Sequence, residues 1–233
     1  MSYILHYAPD NASLVIRLAL EQLGVSYRCV LVDRSTNAQK SNTYTALNPH
    51  GLIPTLETDQ GAIFETAAIL LWLTDRHGKI GPAPNAAGRA DFLKWLFFVS
   101  NTVHPCLRRL FYPEQYIGAD PTHQSILRSH ARNALIDHHS KLEALATQGH
   151  AWCAGATPSA LDFYIAGSLR WPAVYPTNEE RSWHSLANYP ALQDMCQRLE
   201  RLPATHALIK AEGMNTTPFT NPSAPKPPEG SAI

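Results

Sequence analysis

Asn48-Pro49-His50-Gly51-Leu52-Ile53-Pro54-Thr55-Leu56-Glu57-Thr58-Asp59-Gln60-Gly61-Ala62-Ile63-Phe64-Glu65-Thr66-Ala67-Ala68-Ile69-Leu70-Leu71-Trp72-Leu73 is the stretch around which the rest of the chain is organised. Pro54 opens a strand over 55–58, Asp59-Gln60-Gly61 reads as a turn, 62–64 returns as a second strand, and Glu65 starts a helix. A proline at the head of a strand has no N–H to give to a sheet, and it leaves the backbone groups of Ile53 free to pair with an extended peptide. The first N–H groups of the following helix point outward unpaired. Such an end attracts a carboxylate, and the Thr66 hydroxyl adds a donor. The Glu65 carboxylate suits a primary ammonium. Together they describe a clamp for an amino-acid zwitterion beside a backbone that can pair with a peptide.

Outward from this stretch, residues 3–7 read as a strand, 12–24 as a helix closed by Gly24, and 27–32 as a second strand. This β-α-β unit calls for a parallel pair with a right-handed crossover. Residues 35–47 are polar and irregular, with room for a short helix. The order β-α-β-α-β-β-α is that of a thioredoxin-like fold. The third helix should end near Asp75-Arg76-His77-Gly78, where cationic side chains meet the negative helix end and glycine supplies the stop.

Residues 79–88 are rich in Gly, Pro and Ala and read as a linker. Beyond Arg89 the strand signals vanish, and helical runs are expected over 90–109, 121–147, from Ser159, from Pro190 and from Pro203. Ser159-Ala160-Leu161-Asp162 has the Ser-x-x-Asp form of a capping box. The expected domains are therefore 1–78, α/β and thioredoxin-like, and 89–213, all-helical. Residues 214–233, with five prolines and few apolar residues, read as an extended tail that wraps loosely and has no chemical role.

Composition bounds the function. Lys plus Arg equals Asp plus Glu at 19 each, so no overall field draws the chain to nucleic acid or an anionic membrane. No apolar run is long enough to span a bilayer, and Met1-Ser2-Tyr3-Ile4 is no secretory leader, which predicts a cytoplasmic protein. The four cysteines are scattered, without a Cys-x-x-Cys pair, as reduced thiols and not metal ligands would be. His130, His138 and His139 share one predicted helix, but their spacing does not set two imidazoles one turn apart on a face. They are expected to be solvated, and no metal is expected.

Asn48-Pro49-His50-Gly51-Leu52-Ile53-Pro54-Thr55-Leu56 followed by Glu65-Thr66-Ala67-Ala68-Ile69 resembles the glutathione site of the cytosolic glutathione transferases. The resemblance implies a cis peptide before Pro54, backbone pairing of Ile53 with the cysteinyl unit of glutathione, and a γ-glutamyl group held by Glu65 and Thr66. Leu52 departs from the family, where many members carry Lys or Gln near the glycyl end. Tyr7-Ala8-Pro9-Asp10-Asn11-Ala12-Ser13-Leu14 is similar to the thiol loop of the bacterial beta class, with Ala12 where the class cysteine stands. Trp95-Leu96-Phe97-Phe98-Val99-Ser100-Asn101-Thr102-Val103-His104 is similar to a helical-domain segment of the same class, and its histidine falls on His104.

A bound thiol has an ordinary pKa of about 8.5, so its thiolate needs hydrogen bonds, a positive helix end or a cation. Asn11, Ser13 and His104 are the candidates, with the loop donors ranked above the histidine. Asp10 beside a thiolate would hinder it and is expected to cap the helix instead. Tyr7, Arg108 and Tyr112 are the candidates for contact with the second substrate. The implied activity is a homodimeric detoxification enzyme that adds the glutathione thiolate to a small electrophile, with no metal. A non-catalytic glutathione-fold binding protein is the stronger rival. A glutathione-dependent reductase or peroxidase is disfavoured by Ala12.

Overall fold

A computed structural model describes residues 2–232. Its first third is a four-stranded mixed sheet in the order β2-β1-β3-β4, built from β1 (Tyr3–Tyr7), β2 (Tyr27–Leu31), β3 (Thr55–Thr58) and β4 (Gly61–Phe64). β1 pairs β2 in parallel, from Tyr3 opposite Tyr27 to Tyr7 opposite Leu31, and pairs β3 antiparallel. The parallel pair is joined by helix α1 (Ser13–Leu23), whose Leu14, Val15, Ile16, Leu18 and Leu20 are fully buried. Gly24 ends α1 at φ +67°, a conformation glycine adopts without the Cβ penalty. The irregular stretch holds two single turns of 3₁₀ helix and the short α2 (Asn42–Thr45). After the β3–β4 hairpin comes α3 (Thr66–His77). This is the expected thioredoxin-like order.

The remainder is helical: α4 (Arg89–Phe98), α5 (His104–Phe111), α6 (Glu114–Ile117), α7 (Pro121–Ala146), α8 (Ala160–Val174), α9 (Pro190–Glu200) and α10 (Pro203–Glu212). Proline stands in the first turn of α7, α9 and α10, where its missing N–H removes no helical bond. The capping box forms: Ser159 Oγ accepts from the Asp162 N–H at 3.1 Å, and Asp162 accepts from the Ser159 N–H at 2.8 Å. α8 is buried along nearly its whole length and packs against α1, which fastens the helical layer to the sheet layer. No helix among the described residues is long and apolar enough to cross a membrane.

Two expectations are corrected here. The segment 214–232 does not wrap loosely. Phe219 is buried, its N–H and that of Thr220 donate to Glu200, and the Lys226 N–H donates to the Gly213 carbonyl at 2.8 Å. Gly213 is required there, because a Cβ would sit 1.9 Å from that carbonyl's neighbour, Lys226 O. The second correction is His139, which is buried on the inner face of α7 and not solvated. Its ring packs 5.4 Å from His184 and 5.8 Å from Tyr189, and neither nitrogen has a hydrogen-bond partner among the described residues.

Burial holds the His139 pKa well below the ordinary 6.5, with the charges of His184 and His138 acting in the same direction. A histidine depressed in the folded state contributes stability that is complete above the unfolded pKa and is lost as pH falls below it. The His139→Leu variant is therefore expected to lose less stability than the wild type between about pH 7 and 5, by roughly 1 to 2 kcal/mol for one proton. Urea midpoints at the two pH values measure this. Equal losses in the two proteins would show that His139 is not the group being charged.

Candidate active site

Four walls shape one cleft of about 580 Å³ between the sheet layer and the helical layer. Its first wall is the loop 48–54. Asn48 is buried and ties the loop to itself, donating from Nδ2 to the Leu52 carbonyl at 2.7 Å and accepting from the His50 N–H at 3.1 Å. The Tyr44 hydroxyl donates to the same Leu52 carbonyl at 2.6 Å. Gly51 passes at φ +60° so close to Gln39 that a Cβ would lie 2.8 Å from its carbonyl oxygen. The Ile53–Pro54 peptide is cis. Held this way, Ile53 lines the cleft, and its N–H and carbonyl form no backbone hydrogen bond among the described residues.

The second wall is the start of α3. Glu65 precedes the helix at φ +70°, ψ +116°, and no side chain caps the free N–H groups. Glu65 and Thr66 both line the cleft, and the Glu65 carboxylate has no hydrogen bond or ion pair among the described residues. A non-glycine residue at positive φ is strained by order 1–3 kcal/mol and marks a place where the surroundings fix the backbone.

The third wall is the loop after β1. Asp10 does not cap α1, whose N-cap position, Ala12, makes no side-chain cap. Its carboxylate is buried instead against Arg170 of α8, which donates from Nε to Oδ1 at 2.7 Å and from Nη2 to Oδ2 at 2.8 Å. The Tyr175 hydroxyl adds a third bond at 2.7 Å, so the negative charge is neutralised before it reaches the cleft. Asn11 stands beside it in the lining, with Oδ1 taking the Ala12 N–H at 2.8 Å and its amide N–H groups left over as donors.

The helical layer supplies the fourth wall. Between α4 and α5 the helix widens into a π-turn, Val99–Val103. Pro105 explains the widening, because its ring has no N–H for the carbonyl four residues back and crowds it. The π-turn ends at His104, whose Nδ1 lies 2.7 Å from the Tyr164 hydroxyl and whose ring leans on Trp171 at 5.4 Å. Burial, then the charge of Arg108, push the His104 pKa down to about 4, so the ring is neutral at neutral pH. Burial raises Tyr164, which therefore stays a phenol; where it is the donor to Nδ1, the imidazole proton sits on Nε2.

Asn11, Ile53, Pro54, Glu65, Thr66, His104, Arg108 and Tyr112 thus meet in one cleft. Ser13 and Tyr7 do not. The Ser13 hydroxyl is buried and donates to the Ala8 carbonyl at 3.0 Å, which braces the loop from behind. Tyr7 is buried, with its hydroxyl on Glu229 at 2.5 Å and Arg17 above its ring at 4.7 Å. Tyr164, Trp171 and Tyr175 line the site without having been singled out in the sequence. Arg170 stands behind it, and that guanidinium inside the apolar run of α8 was the available signal, since a buried charge demands an opposite partner.

Over 215 residues the chain is 31% identical to a glutathione S-transferase of Xanthomonas campestris pv. campestris, spanning 91% of this chain and 99% of the relative. The chain belongs to the glutathione transferase family. The family model for the glutathione S-transferase N-terminal domain matches residues 1–75. A disulfide-bond oxidoreductase of Escherichia coli, YfcG, is 27% identical across 89% of this chain and 95% of its own length. Among solved structures, a sphingomonad glutathione S-transferase complexed with glutathione matches with a TM-score of 0.72 at 27% identity, covering 90% of this chain and 98% of the other. In this member of the family the four cysteines are free; three are buried, and Cys29 is partly so with its thiol pKa raised by burial. None of the four lines the cleft.

Proposed function

We propose that this cleft binds glutathione and directs its thiolate at a small electrophile, in a cytoplasmic homodimer acting in detoxification. The observation that carries the reading is the uncapped start of α3, with Glu65 and Thr66, beside the unpaired backbone of Ile53. One end suits the α-carboxylate and ammonium of the γ-glutamyl group, the other the cysteinyl amide. The sphingomonad relative, complexed with glutathione, supports the assignment.

The thiol then faces Asn11 from the loop and His104 from the helical layer. Asn11 offers a neutral N–H at the positive end of α1. His104 is uncharged, and in the tautomer with its proton on Nε2 it is a second neutral donor and not a cation. Asp10, which would oppose a thiolate, is offset by Arg170 and Tyr175. With Ala12 at the loop position a reactive cysteine would need, thioether formation is favoured over disulfide exchange.

Glutathione consumption against aryl halides, epoxides, enones and peroxides, with product masses, tests the reaction. A thioether product is expected, whereas glutathione disulfide as the sole product would replace conjugation by reduction. Ultraviolet titration of the bound thiol tests the roles. Its pKa is expected to rise by about 1 unit or more in Asn11→Ala, as loss of a donor to a fixed anion implies, and to change less in His104→Ala. A shift in the histidine variant alone would make His104 the activating group.

A further inference from the structure

The cleft holds two guanidinium groups that no carboxylate of the described residues neutralises. Arg34 and Arg108 approach the Tyr112 ring, their central carbons 5.9 and 5.8 Å from its centroid. Arg34 donates to the Tyr112 hydroxyl at 2.9 Å and to the Ala232 carbonyl at 3.0 Å. Arg108 donates to the Tyr116 hydroxyl at 3.2 Å and, weakly, to Gln115 Oε1 at 3.4 Å. Arg17, Arg76, Arg89, Arg132 and Arg170, in contrast, each have an Asp or Glu partner. Among the described residues the only acids lining the cleft are Asp10, which Arg170 neutralises, and Glu65. A hollow of about 620 Å³ continues past both arginines to Lys40 and has no acidic residue in its lining among the described residues.

Bound as the thiolate, glutathione carries two carboxylates, the sulfur anion and one ammonium. If the start of α3 takes one carboxylate, Glu65 the ammonium, and Asn11 with His104 the thiolate, the glycyl carboxylate remains, enough for one guanidinium and not for both. The other would be partly desolvated on an aromatic wall without a partner, an arrangement that favours any ligand bringing an anion. Arg108 is the one placed for the second substrate. It lies one helical turn beyond His104 on α5, on the wall formed by Pro105, Phe111 and Tyr116, whereas Arg34 comes from the sheet layer and is tied to the tail.

We propose that Arg108, with Tyr112 and Tyr116, binds a carboxylate of the second substrate, so that the preferred acceptors are anionic electrophiles. This rests on the glutathione reading above. A fork-shaped guanidinium and a carboxylate pair in two parallel hydrogen bonds, with the neighbouring phenols as further donors.

Calorimetry with two S-aryl glutathione conjugates, identical except for a ring carboxylate in one and a carboxamide in the other, tests it. Wild-type protein is expected to bind the carboxylate about tenfold more tightly, and Arg108→Gln to abolish that preference. Arg34→Gln is expected to weaken both conjugates alike, through the glycyl carboxylate they share. Glutathione affinity, measured alongside, shows whether Arg108→Gln keeps its cleft, and it is expected to fall in Arg34→Gln together with the two conjugates. Absence of a preference in the wild type, or its persistence in Arg108→Gln, overturns the proposal while leaving the glutathione reading intact. If neither conjugate nor glutathione binds, the glutathione reading falls and this proposal falls with it.

Discussion

Asp10→Asn is expected to destabilise the fold by about 3 to 5 kcal/mol, the cost of stranding a buried charge. The Asp10 and Arg170 side chains are both 0% exposed, and two short hydrogen bonds join them. The asparagine would keep the shape but leave the guanidinium without a counter-charge. Asparagine also tolerates the φ of +49° that Asp10 adopts, so backbone strain does not confound the comparison. The effect should spread, because Arg170 also donates to the carbonyls of Pro218 and Ser223, and the Asp10 N–H donates to Glu212, itself bonded to Arg17 at 3.0 Å. One clamp thereby holds the loop after β1, α8, α10 and the tail together. Urea unfolding of Asp10→Asn, Arg170→Met and the double variant measures it, and the double variant should cost less than the sum of the two. Single variants within about 1 kcal/mol of the wild type, or strict additivity, would show that the clamp does not couple these elements.

That clamp also marks the limit of what local pattern conveys. The strand 3–7, the hairpin, the glycine stops and the Ser159–Asp162 box depend on neighbours a few residues away, and each was legible before the structure. A short polar residue ahead of a helix reads as a cap for the same local reason. Asp10 instead finds its partner 160 residues downstream, which no local rule detects. Tyr7 and Ser13 sat at the right end of β1 and α1 for the cleft, but strand alternation and helix phase turned them inward, onto Glu229 and Ala8. Metal-ligand spacing says nothing of which way His139 faces, and helix phase does: it shares its face with the buried Leu135 and Leu142. The tail looked unable to pack because its sequence is poor in apolar residues. Its docking relies on Phe219 and on carbonyls taken up by arginines elsewhere. In the candidate site, the binding half lay in one continuous stretch. The half proposed to face the sulfur is assembled from the loop before α1, the π-turn and α8, and only His104 and Asn11 of it were visible in sequence.

Glu65→Gln is expected to weaken glutathione binding by roughly 2 kcal/mol, about 30-fold, the lower end of the range for losing one member of a hydrogen-bonded charge pair. The lower end applies because Glu65 is exposed in the free cleft, where water screens it. The chain keeps this residue at φ +70° directly ahead of α3, and gives its carboxylate no ion pair among the described residues. A strained backbone presenting an unpaired charge beside a helix end is an arrangement for a ligand, with the carboxylate for an ammonium and the helix N–H groups for a carboxylate. A cycle on the ligand separates the two contacts. Wild-type protein should bind a glutathione analogue lacking the γ-glutamyl amine as weakly as the variant binds glutathione, and Glu65→Gln should scarcely distinguish the two ligands. Calorimetry reads all four combinations. If the variant binds glutathione within about threefold of the wild type, or still prefers the amine-bearing ligand by the full margin, Glu65 does not hold the ammonium and the orientation of glutathione in this cleft must be reversed or abandoned.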